Sequence, residues 1–242
     1  MIDSSSGAAR RRLAFALDYP SLDAAREGAE RVCQAVGVLK VGLELFVREG
    51  PPALALGPAL GCDVFLDLKL CDIPQTVARA VRSAAAHGAK YLTVHAGGGS
   101  AMLQEAANAA AESGLTILAV TVLTSLDRRD LGALGVGANP SEQVLRLACL
   151  ARDAGVRGLV CSPAEVGLLR RELGPDFVLV TPGIRPSGPT ADDQKRVATP
   201  TAAIRDGSSL LVVGRPIRDA DDPAQAARDI AREIAEAERA SH

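Results

Sequence analysis

A chain of 242 residues that is 48% hydrophobic has the material for a sizeable core in one large domain or two small ones. Aromatic residues make up only 2% and Trp is absent, so the core falls to Leu, Val and Ala, and stacking platforms for single-stranded nucleic acid are not expected. A formal net charge of -2 argues against a generic polyanion binder.

The chain starts with a Ser-rich stretch that runs into Arg10, Arg11 and Arg12, its one basic run. Residues 1–11 read as a flexible terminus, and residues 12–240 as the folded domain. Short apolar runs then recur and read as eight strands: Leu13–Leu17, Val38–Val41, Val64–Leu68, Tyr91–Val94, Thr116–Val120, Gly158–Cys161, Phe177–Val180 and Leu210–Val213. Each is nearly continuous in apolar side chains, as befits strands covered on both faces. Gly37, Gly61, Gly88, Gly114, Gly155, Gly174 and Gly207 lie at or shortly before the second to eighth strands, where left-handed helix C-caps are expected. The segments between have helical spacing, with Ser21, Thr76 and Ser141 as expected N-caps and His87 as a helix-end residue. Strand and helix alternating eight times without a linker predict an α/β fold, a single-domain (β/α)8 TIM barrel. An open doubly wound sheet is the alternative. It is disfavoured because Asp18-Tyr19-Pro20, not a Gly-rich fingerprint, follows the first strand.

The five cysteines, Cys33, Cys62, Cys71, Cys149 and Cys161, are odd in number and lack CxxC spacing. Neither a disulfide framework nor a zinc knuckle is expected. With no signal peptide and no apolar stretch of roughly 20 residues, a cytoplasmic location and no membrane association are expected.

In such a barrel, chemistry belongs at the C-terminal ends of the strands. Asp18 ends the first strand, Lys40 lies on the second, and Asp67 and Lys69 lie on the third with Asp72 just beyond. Strict alternation would place Asp67 and Lys69 on one face. His95 ends the fourth strand and is read as bonding a nearby backbone group. Thr124 and Ser125 follow the fifth, and serve either the site or the start of the loop running to Pro140. Lysine occurs only four times among 27 basic residues, and two of the four, Lys40 and Lys69, fall at this mouth. Lysine can yield a proton where arginine cannot. After the seventh and eighth strands, Gly183, Arg185, Gly214 and Arg215 suit a phosphate, with backbone N–H groups close by and guanidinium donors beside them.

The run Asp67-Leu-Lys-Leu-Cys-Asp-Ile-Pro-Gln-Thr76 resembles the signature of the orotidine 5'-phosphate decarboxylases. Ala16-Leu-Asp18, Leu39-Lys-Val-Gly42, Leu123-Thr-Ser125, Thr181-Pro-Gly-Ile-Arg-Pro186 and Val213-Gly-Arg215 agree with it in the right order, and the pattern is similar to the shorter bacterial branch. The resemblance implies decarboxylation of orotidine 5'-monophosphate to UMP with no cofactor and no metal, in a homodimer whose sites straddle the interface. By motif, Lys69 would be the proton donor and Asp67 would lie beside the substrate carboxylate. Asp18 and Lys40 would contact the ribose and the charge network. Asp72, Ile73 and Thr76 would come from the partner subunit. Thr124 and Ser125 would lie near the pyrimidine, and Arg185, Gln194, Gly214 and Arg215 would serve the phosphate and its closing loop, expected over Pro186–Gln194.

The chemistry suits these residue types. Loss of CO2 from C6 leaves a carbanion with no carbonyl to delocalise it, so stabilisation must be electrostatic. An ammonium flanked by carboxylates keeps its charge and can then protonate C6. A keto-gulonate phosphate decarboxylase, which resembles this group and uses Mg2+, is the nearest rival. Lys40 stands where that enzyme has a metal-holding Glu, and a cation there opposes a metal ion. A non-catalytic nucleotide-phosphate binding barrel is the second rival.

Overall fold

The computed structural model describes residues 4–137, 139–186 and 198–240. Eight parallel strands close a barrel in chain order: β1 (Leu13–Ala16), β2 (Val38–Val41), β3 (Asp63–Leu70), β4 (Ala89–His95), β5 (Thr116–Val120), β6 (Gly158–Val160), β7 (Val178–Thr181) and β8 (Leu210–Val213). All eight expected strands are present, with ends shifted by at most two residues. Closure comes from β1 pairing with β8, Phe15 opposite Val213. Helices join the strands and cover the barrel, as the alternating pattern predicts.

Two apolar cores result. The larger lies between strands and helices, built from residues such as Leu39, Leu92, Val144, Ile230 and Ile234. The smaller fills the barrel: Ala14, Ala16, Val38, Phe65, Leu118, Val180, Leu210 and Val212, with Tyr91 packed edge-on to Phe65 at 6.2 Å. Interior residues come from alternate positions along each strand. The next inward layer, toward the C-terminal ends, is where polar side chains begin.

Ser21 caps its helix as expected, its hydroxyl accepting from Ala24 N–H. Thr76 and Ser141 do not. The caps there are Ile73 and Asn139, followed by Pro74 and Pro140 at the first helical positions. Proline lacks an N–H and has a helix-ready φ, so it fixes the start of a helix upstream of the polar residue. Six of the seven flagged glycines have positive φ. Gly37 does not; a Cβ there would stand 2.6 Å from Arg10 O, so close backbone approach requires this glycine.

Of residues 1–11, expected as a flexible start, the structure describes residue 4 onward. Ser4–Arg11 form a helix with Ala9 buried. Arg10 and Arg12 are not frayed: Arg10 Nε donates to Val36 O at 3.0 Å, and Arg12 pairs with Glu238 at 2.7 Å. Guanidinium groups with several fixed donors can satisfy carbonyls at the N-terminal rim of the barrel. No helix among the described residues is long and apolar enough to cross a membrane.

Candidate active site

A cavity of about 320 Å3 opens at the C-terminal ends of the strands. Its floor and one wall are apolar: Ala16, Phe65, Val120, Val160, Val180 and Val212. Asp18, Lys40, Asp67 and Lys69 line one side, and Gly183, Arg185, Gly214 and Arg215 also face the space. The cavity thus joins an apolar slot, a charged array and a pair of guanidinium groups.

The array is a chain of alternating charge. Lys40 Nζ lies 3.3 Å from Asp18 Oδ1 and 3.8 Å from Asp67 Oδ2. Lys69 Nζ lies 2.8 Å from Asp67 Oδ1. The Asp67 side chain is 15% exposed and that of Lys40 is 12% exposed. Withdrawing such charges from water costs several kcal/mol each unless they are paired. Here each is paired, and the four groups cancel to zero within one chain. The Asp18 main chain is held as well, its carbonyl accepting from Arg218 Nη1 at 3.0 Å.

Plain alternation does not bring Asp67 and Lys69 together. β3 and β4 pair at Leu66 with Leu92 and again at Leu70 with Val94, so β3 carries extra residues between these points. Such a bulge re-aims side chains. Lys69 has φ of 51°, the one positive value among described non-glycine residues. The shared direction of the two charged side chains is therefore set by the bulge, and sequence periodicity reached it through a regular strand that is not there.

Thr93 is a residue that sequence reasoning missed. It is fully buried on β4, accepts from Lys69 N–H at 2.9 Å and lies 2.9 Å from Asp67 Oδ1. A polar residue at the inward position two before His95 was the available signal. Two further buried hydroxyls, Thr121 and Ser162, have no hydrogen-bond partner among the described residues, and Ser162 lines the cavity. Cys161 lies in the wall, where burial pushes its thiol up to about 12.

After β7, Gly183 turns the chain with φ of 76°. The segment is anchored where Arg185 N–H donates to Ala198 O at 2.9 Å. Gly214 does not have a positive φ; a Cβ there would lie 3.5 Å from Asp18 Oδ2, so its lack of a side chain keeps the cavity open beside the array. Thr124 lines the cavity, whereas Ser125 is exposed and does not.

Asp72, Ile73 and Thr76 also lie off the cavity. All three are exposed, Ile73 at 68%, and Asp72 Oδ1 accepts from Ile73 N–H at 2.6 Å. Gln194 and the expected lid from Ser187 onward lie outside the described residues. The His95 imidazole has no hydrogen-bond partner among the described residues, so the expected backbone bond is not found. Burial, and then the Lys69 charge, push its titration below the usual 6.5.

Residues 11–230 match the family model described as "Orotidine 5'-phosphate decarboxylase / HUMPS family". The orotidine 5'-phosphate decarboxylase of Anaeromyxobacter sp. (strain K) is 55% identical over 220 residues, covering 91% of this chain and 96% of the relative. That of Thermobifida fusca (strain YX) is 51% identical over 223 residues, covering 92% and 95%. The crystal structure of orotidine 5'-phosphate decarboxylase from Lactobacillus acidophilus superimposes with a TM-score of 0.81 at 37% identity, covering 93% of this chain and 99% of that one.

Proposed function

The chain belongs to the orotidine 5'-phosphate decarboxylase / HUMPS family, and from this we propose that it decarboxylates orotidine 5'-monophosphate to UMP, the last step of de novo pyrimidine synthesis, without a cofactor. The observation that carries the proposal is the Lys69–Asp67 pair at 2.8 Å, in a cavity that also presents Arg185 and Arg215. The pyrimidine takes the apolar slot beside Thr124, and the phosphate takes the arginine side. The susceptible C6 then falls at the array.

Each residue has a physical task. Asp67 is fixed by Lys69, Lys40 and Thr93, so its charge is already in place before substrate arrives. Preorganised charge of this kind acts without a reorganisation cost during the reaction. As the bond to CO2 breaks, negative charge develops at C6. The Lys69 ammonium stabilises that charge and then donates a proton to the carbon. Lys40 and Asp18 hold the ribose and the network. Arg185 and Arg215 bind the phosphate, remote from C6, and that binding energy positions the ring for reaction.

The exposed position of Asp72, Ile73 and Thr76 supports a homodimer in which these residues complete the partner's site. A carboxylate that is free of its own cavity and an isoleucine left 68% exposed suit burial against a second copy. Small substrate apart, no nucleic-acid partner is proposed, and the proposed location is the cytoplasm, in keeping with five free cysteines.

Lys40 favours this activity over the Mg2+-dependent rival. Its ammonium sits 3.3 Å from Asp18 and 3.8 Å from Asp67, so the carboxylates a divalent ion would need are already neutralised. The test is the loss of orotidine 5'-monophosphate absorbance on mixing with protein stripped by a chelator. Undiminished turnover is expected. No turnover, or turnover restored only by Mg2+, would overturn the proposal.

A further inference from the structure

Thr93 is completely buried, yet its hydroxyl sits between two members of the charged array. Lys69 N–H donates to Thr93 Oγ1 at 2.9 Å, and Oγ1 lies 2.9 Å from Asp67 Oδ1. A hydroxyl has one proton, and an ionised carboxylate can only accept. The proton of Thr93 is therefore committed to Asp67 while a lone pair takes the Lys69 amide. From this geometry we infer that Thr93 is a positioning residue for decarboxylation: through one hydroxyl it fixes both the main chain of Lys69 and the carboxylate of Asp67.

The need for such a residue follows from the strand pairing. Between the pairs Leu66–Leu92 and Leu70–Val94, the β3 residues Asp67, Leu68 and Lys69 oppose Thr93 alone. The ladder is broken there, and the Lys69 amide has no carbonyl across from it. A buried amide without a partner is costly. Thr93 supplies the partner from its side chain. The same bond acts on a lysine at φ of 51°, a region that a long side chain adopts only when its surroundings over-determine it.

The direction of the Lys69 side chain is thus set by its backbone conformation. The opposite end of the side chain is set by Asp67 Oδ1, which accepts from both Lys69 Nζ at 2.8 Å and Thr93. Thr93 holds the two ends of one short loop of interactions: amide, hydroxyl, carboxylate, ammonium. It touches no substrate in this arrangement, because it is fully buried behind Asp67 and Lys69 and does not line the cavity. Its effect on the reaction passes through those two residues.

The inference rests on the proposed reacting pair Asp67 and Lys69, and the experiment separates the two. Thr93→Val keeps the shape and removes both hydrogen bonds. Its kcat is expected to fall about 10- to 100-fold, as for a reacting group displaced by a fraction of an ångström or more, while KM changes by less than about threefold. Thr93→Ser keeps the hydroxyl and is expected to stay within about threefold of the parent in kcat. Rates are normalised to the folded fraction by titration with UMP, so a hydroxyl needed only for stability would leave kcat unchanged. A Thr93→Val enzyme with parental kcat overturns the inference, and so does a Thr93→Ser enzyme as slow as Thr93→Val. If Thr93→Val does not fold, Thr93→Ala takes its place with the same expectation. Lys69→Ala in the same assay identifies the source of any failure. Full turnover there removes the reacting pair and Thr93's role with it, whereas loss of turnover there beside an unaffected Thr93→Val removes Thr93 alone.

Discussion

The Lys69 ammonium and the Asp67 carboxylate meet at 2.8 Å across a bulge in β3, two residues apart in the chain. In a regular strand, neighbours at this spacing point the same way but stay well separated at their Cα atoms, and nothing forces their tips together. The bulge and the left-handed φ of Lys69 turn the two side chains toward each other. What results is a cation held in place before substrate arrives, with about a third of the Lys69 side chain still open, 32% by area.

Replacing that cation is the most direct test of its task. Lys69→Ala should lower kcat by at least about 10^3-fold, since it removes both electrostatic stabilisation and the proton donor. UMP affinity, measured by calorimetry, should change far less, because the phosphate and pyrimidine contacts remain. Unchanged turnover would remove Lys69 from its proposed role.

Asp72 offers a test of the shared site. If each site combines Lys69 of one subunit with Asp72 of the other, Lys69→Ala and Asp72→Asn are each nearly inactive alone. Mixed and allowed to exchange subunits, they form hybrids in which one site is intact, and about one quarter of parental activity should appear by random pairing. No recovery in a mixture shown to exchange subunits would place both residues in one chain's site or outside the site.

Arg215 is assigned to the phosphate. Arg215→Ala should weaken binding of UMP about 10- to 100-fold, the range for a lost charge-assisted hydrogen bond, and leave binding of uridine nearly unchanged. Parallel titrations with the two ligands read this out. Equal losses for both would undermine the assignment.

His95 gives a pH dependence of fixed sign. Burial and the Lys69 charge push its titration below 6.5 in the folded protein. Near that value the unfolded chain binds more protons here than the folded one, so stability rises with pH. The contribution is complete above about pH 6.5 and is lost as pH falls through the lowered folded value. In melting curves taken from about pH 7.5 down to about pH 5, His95→Asn should lose less of its midpoint than the parent does. Parallel slopes for the two proteins would show that His95 does not contribute.

Sequence by itself determined the barrel and most of the mouth. Strands buried on both faces must be short and nearly all apolar, so eight such runs divided by helical spacing left little choice of architecture. Strand ends then located Asp18, Lys40, Asp67, Lys69, Arg185 and Arg215, which all line one cavity. Tertiary structure decided what depends on a neighbour's backbone. Helix starts moved to Ile73 and Asn139 because proline geometry outweighed the hydroxyls of Thr76 and Ser141. Arg10 and Arg12 became ties at the barrel rim because distant carbonyls and Glu238 were within reach. The bulge that joins Lys69 to Asp67, and Thr93's place beneath it, arise from a register between β3 and β4 that no local spacing encodes. Register is a relation between two strands, and it exists only once the barrel has closed.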